Sequence, residues 1–181
     1  MAVELNSGFS IYAVIYLIVY FKLLRTKKFK EIFWLSSFLI YLFIVVDVTL
    51  LPLPLSLQSI NNNFYIRSGN PIWNSVNLIP TLSLENILSR NFYLNMLMFA
   101  PFGFLINVLF IKENRYFKTL YYSFVFTVLI ETLQFLLIYF TGAFRIVDVD
   151  DIIANTIGGM IGLLVYLLAT FCVKKISKTQ S

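Results

Sequence analysis

Five long apolar runs govern what this 181-residue chain can become: residues 8–24, 32–51, 92–111, 119–140 and 152–173. Each has about the length that an α-helix needs to cross the roughly 30 Å hydrocarbon core of a bilayer. A soluble fold has no means of hiding five such runs. Hydrophobic residues make up 59% of the chain and charged residues 13%, against about 25% charged in a soluble domain. Five spans take roughly 100 residues and leave about 80 for connections, too few for a separate soluble domain. The reading is therefore all-α: a polytopic transmembrane helical bundle forming a single membrane domain over residues 1–181. Disorder, a coiled coil and a disulfide scaffold are excluded on the same grounds.

Charge placement gives the orientation. Eleven of the fourteen Lys and Arg residues close or follow the first run (Lys22 within its last turn), join the third to the fourth, or sit in the C-terminal tail; Arg67, Arg90 and Arg145 lie on the other side. The positive-inside rule then predicts the N-terminus outside and the C-terminus in the cytoplasm. The net charge of +5 is thus topological, and no nucleic-acid partner is expected. The first run is closed rather than preceded by positive charge, so it reads as a span, not a cleaved leader. The chain has no His and one Cys, Cys172. That leaves no internal disulfide and no zinc-type site.

The connection 52–91 falls outside in this topology. It is apolar for a loop, carrying Phe64, Tyr65, Ile72, Trp73, Leu82 and Leu88 among others. The Asn-rich stretch 61–63, the stretch 69–71 and Pro80 are expected to break it into short pieces. Residues 83–90 read as a short interfacial helix with Glu85 in its first turn. The loop should lie on the membrane surface or over the outer mouth of the bundle.

Several polar residues stand where a membrane span should have none, and such residues need partners or a water-filled cavity. Glu131 lies about nine residues inside the fourth run, with Gln134 on the same helical face. Asn95 lies one turn into the third run, ahead of Pro101 and Gly103; Pro101 removes a backbone donor and is expected to kink the helix. The fifth run opens on Asp148, Asp150 and Asp151, then carries Asn155 on the Asp151 face. Acidic groups suit this helix start as caps and dipole partners. Arg145 just before them is a counter-charge for Glu131 or an Asp. Gly158, Gly159 and Gly162 follow, with the small-xxx-small spacing that lets helices approach closely. Alternating span direction brings Asn95, Glu131, Gln134, Arg145, Asp148, Asp150, Asp151 and Asn155 to the outer half of the membrane. They form either one polar pocket open to the outer leaflet or a hydrogen-bonded network that fixes helix packing.

These residues also carry a resemblance. The string NMLMFAPFG over 95–103, Glu131-x-x-Gln134, Arg145-x-x-Asp148-x-Asp150-Asp151, Asn155 and Gly158-Gly159 together resemble the VanZ-like family of small bacterial membrane proteins. The likeness covers roughly residues 77–173. It implies a multi-pass protein of the bacterial cell membrane, in a family whose founding member is associated with low-level resistance to the lipoglycopeptide teicoplanin. It supports the polar pocket but names no ligand.

Two functions fit the chain. In the first, the pocket binds a membrane lipid, a lipid-linked envelope molecule or a glycopeptide, with Arg145 offering paired donors to phosphate or carboxylate and Asn95, Gln134 and Asn155 offering neutral hydrogen bonds. In the second, the protein is an intramembrane enzyme acting on a lipid-linked substrate, with Glu131 as acid or base. No cofactor is expected, save that Asp148, Asp150 and Asp151 have the chemistry to hold a divalent cation.

Overall fold

The computed structural model describes residues 2–68, 70–81 and 83–179, with the Leu84 side chain excepted. Gly69 and Leu82, named above as part of the loop, lie outside the described residues. The fold is helical. The main helices are α1 (Phe9–Val19), α2 (Phe29–Leu50), α3 (Leu57–Ile66), α4 (Leu84–Ile87), α5 (Arg90–Leu109), α6 (Arg115–Thr141) and α7 (Val149–Thr179). Four of them, α2, α5, α6 and α7, are long and apolar enough to cross a membrane. The first apolar run is shorter as a helix. It covers Phe9–Leu24, with a π turn at Tyr20–Leu24. At 1.5 Å per residue its reach is roughly 24 Å.

The helix ends follow local chemistry. Ser56 caps α3 by accepting the Ser59 N–H at 3.1 Å, and Ser89 caps α5 by accepting the Phe92 N–H at 3.2 Å. Each hydroxyl satisfies one of the orphan donors of a first turn. Asp150 and Asp151 occupy the first turn of α7, where the helix dipole favours negative charge. The Asn-rich stretch 61–63 is no breaker: it lies within α3. The serine cap and the apolar positions Leu57, Ile60 and Phe64 outweigh the weak helix propensity of Asn. Residues 83–90 give only one turn, α4, before Ser89 starts α5. The chain runs helically through Pro101 within α5. At its far end α7 continues past Lys174 and Lys175, because no Gly or Pro stands there to stop it.

The chain packs as two compact units. The first comprises Met1–Pro80 and Val128–Val149. In it the short strands β1 (Glu4–Leu5) and β2 (Leu53–Pro54) pair antiparallel, while β3 (Val76–Asn77) and β4 (Val147–Asp148) pair in parallel. Tyr12 of α1 stacks on Phe43 of α2 with centroids 4.6 Å apart. Tyr41, Val45, Ile130 and Ile138 are buried.

The second unit comprises Thr81–Thr127 and Asp150–Ser181. Here glycine decides the packing of α5 on α7. A Cβ built on Gly103 would run into the Gly159 carbonyl oxygen, one on Gly158 into that of Met96, and one on Gly162 into that of Ala100. A Cβ on Gly159 would strike Ser123 of α6. Only residues without a side chain allow such backbone approach, which is how helices gain packing energy in lipid. Beside them Phe126 stacks on Phe102 at 4.6 Å and meets Phe99 at 5.5 Å.

Candidate functional site

In the first unit the polar residues gather around the C-terminal half of α6. Glu131 is buried, and its Oε2 accepts the backbone N–H of Asp148 at 3.2 Å. Asp148 belongs to β4, whose parallel pairing with β3 sets Asn77 opposite it. Asn77 Nδ2 donates to Asp148 Oδ1 at 3.2 Å. The two-residue strand pair thus presents one amide hydrogen to a carboxylate inside an apolar helix, which lowers the cost of burying it.

Gln134, one turn further along α6, donates from Nε2 to the Thr49 carbonyl at 3.0 Å. That carbonyl belongs to the last turn of α2, where helical acceptors lack intrahelical partners. Gln134 Oε1 is enclosed and has no hydrogen-bond partner among the described residues. Arg145 donates through one guanidinium nitrogen to the Leu51 carbonyl, the next residue after α2. Gln134 and Arg145 therefore both hold the end of α2, while Glu131 holds β4 and Asp148 ties β4 to Asn77 of β3.

The second unit holds the other candidates. Asp150 accepts the Thr81 N–H at 3.1 Å and the Thr81 hydroxyl at 2.9 Å. Asp151 Oδ1 accepts Asn95 Nδ2 at 2.5 Å. Asn155 is 2% exposed and donates to Thr127 Oγ1 at 2.9 Å. Its Oδ1 and the Ser123 Oγ are buried without a hydrogen-bond partner among the described residues. Asp151 and Asn155 share a face of α7, as their spacing requires, but serve different neighbours. Among the described residues, no three Asp, Glu, His or Cys side chains are gathered to hold a metal ion.

Four polar features escaped the sequence reading. Asp47 lies in α2, carrying the same signal as Glu131: an acid within an apolar run. Arg67 is buried and donates to the Gly142 carbonyl at 2.8 Å, the Ala143 carbonyl at 2.7 Å and Ser75 Oγ at 3.0 Å. It also lies over the Phe144 ring at 5.0 Å. Counted only as a loop charge, it in fact clamps the exit of α6. Thr119, Ser123 and Thr127 form an i, i+4 row on α6 and are fully buried, a spacing visible in the sequence. Asn107 donates to Thr119 Oγ1 at 2.7 Å and accepts from Arg115 at 3.2 Å.

The chain is similar in sequence to known proteins. A family model described as VanZ/LLP1 matches residues 38–170, a stretch that contains all eight polar candidates. The chain is similar to Protein VanZ of Enterococcus faecium, with 39% identity over 95 residues. That alignment covers 52% of this chain and 54% of the relative, so the chain matches about half the relative's length. No solved structure matches.

Proposed function

The chain belongs to the VanZ/LLP1 family, and from that premise we propose that it is a cell-envelope protein that binds an amphiphile at the polar cluster of its first unit and contributes to teicoplanin resistance. The amphiphile is a lipid head group or a lipoglycopeptide. The observation that carries the reading is Gln134 Oε1, a buried acceptor without a hydrogen-bond partner among the described residues, one turn from the buried carboxylate of Glu131. A buried polar group left unsatisfied calls for an explanation, and a ligand donor supplies one. Arg145 stands on the same unit with one arm on Leu51 and a guanidinium fork suited to phosphate or carboxylate. The eleven-to-three division of Lys and Arg supports an N-terminus outside and a C-terminus in the cytoplasm, which turns this cluster toward the outer leaflet.

The test is Glu131→Gln. The amide is isosteric and can still accept the Asp148 N–H, so the variant should melt like the parent. It should lose teicoplanin resistance in cells and bound amphiphile in native mass spectrometry. A variant that keeps both would reject the cluster as the binding site. Conversion of a bound lipid by the parent but not by the variant would move the reading to catalysis by Glu131.

A further inference from the structure

A second feature of the first unit lies apart from that cluster. Asp47 Oδ1 accepts the backbone N–H of Gly8, just before α1, at 2.9 Å. Beside them α1 and α2 enclose a groove of about 470 Å³ lined chiefly by Phe9, Ala13, Ile40, Phe43, Ile44 and Val48. Its volume falls within the roughly 300–1,000 Å³ range of small-molecule sites. Phe9, Ile40, Ile44 and Val48 are exposed, so the groove opens sideways onto the surface that a span turns to lipid.

Two further facts say what should occupy it. Asp47 stands three residues before the end of α2, roughly 4.5 Å from that end, and next to the start of α1. In a helix that crosses the bilayer such a position lies near the head-group level, and the apolar groove is lined by both helices. Among the described residues no Lys or Arg forms an ion pair with Asp47. A carboxylate within a span requires a compensating partner, and an ammonium with N–H donors makes the strongest kind of hydrogen bond to it.

We propose that this groove is a binding site for a membrane lipid whose head carries a primary ammonium, the ammonium on Asp47 and one acyl chain between α1 and α2. Asp47 also pins the start of α1, and the test separates the two roles. Asn at this position can still accept the Gly8 N–H but carries no charge. The full-length protein is incorporated into nanodiscs of equal phosphatidylethanolamine, phosphatidylcholine and phosphatidylglycerol, and retained lipid is read by native mass spectrometry.

The parent should retain phosphatidylethanolamine over phosphatidylcholine by about tenfold, the equivalent of one charge-assisted hydrogen bond of roughly 1.4 kcal/mol. Asp47→Asn should cut that ratio to within about twofold while melting like the parent. Ile44→Trp, which fills the groove and leaves Asp47 in place, should abolish the tightly held lipid. Equal retention of the three lipids by the parent would overturn the proposal, as would an unchanged ratio in Asp47→Asn. If Asp47→Asn fails to fold, Ile44→Trp decides: full lipid occupancy in that variant overturns the proposal, and its loss upholds it.

Discussion

Replacing Arg67 removes three hydrogen bonds from one buried guanidinium. Its Nε and one terminal nitrogen satisfy the carbonyls of Gly142 and Ala143, directly beyond α6, and its other terminal nitrogen meets Ser75. Bonds to a charged group contribute about 1.5–3 kcal/mol each, which gives a gross interaction of roughly 5–9 kcal/mol. Desolvating the guanidinium costs several kcal/mol in return. Arg67→Met keeps the stem against Phe144 but leaves two carbonyls and a hydroxyl without their donor. The expected net loss is about 2–4 kcal/mol. At the roughly 2–4 °C per kcal/mol of a chain this size, the melting temperature in detergent should fall by about 5–15 °C. Arg67→Lys should lose at least half as much, because a single ammonium cannot span the positions that the planar fork reaches. A dye-based thermal melt of purified protein measures both. If both variants melt within about 1 °C of the parent, the clamp contributes nothing and the reasoning fails.

Gly162→Leu and Gly158→Leu should each reduce the yield of folded protein and the melting temperature, by more than the about 1–3 kcal/mol of ordinary overpacking, because the atoms in the way are the Ala100 and Met96 carbonyls; fluorescence-detected size exclusion reads the yield. Cys172, exposed on α7 near the basic tail, should react in intact cells with a permeant maleimide and not with an impermeant one, and labelling by the impermeant reagent would reverse the proposed orientation.

Length and hydropathy alone fixed the class of this protein. Runs of about 20 apolar residues have few stable forms but helices in lipid, because a bilayer offers no partner for an unpaired backbone N–H or C=O. Four full-length helices and one shorter apolar helix stand where those runs predict them. The spacing of Gly158, Gly159 and Gly162 marked a close helix contact, and the cost of placing acids and amides in a span singled out Glu131, Asn95 and Asn155. Asp47 and the Thr119-Ser123-Thr127 row carry the same kind of cost, yet one acid near a helix end and three hydroxyls are weak signals against an apolar background.

Tertiary structure decided which partner each polar group takes. Asp151 and Asn155 share a helical face, yet one meets Asn95 and the other Thr127. Asp148 meets Asn77 through a two-residue parallel pairing that no local pattern announces, since its strands are 71 residues apart in the chain. Arg67 reads as a loop charge until the return of the chain after α6 brings the Gly142 and Ala143 carbonyls to it. Helix formation depends on neighbours three and four residues away, which the sequence lists. A hydrogen bond between distant segments depends on how those segments pack, and that is settled only when the whole bundle is assembled.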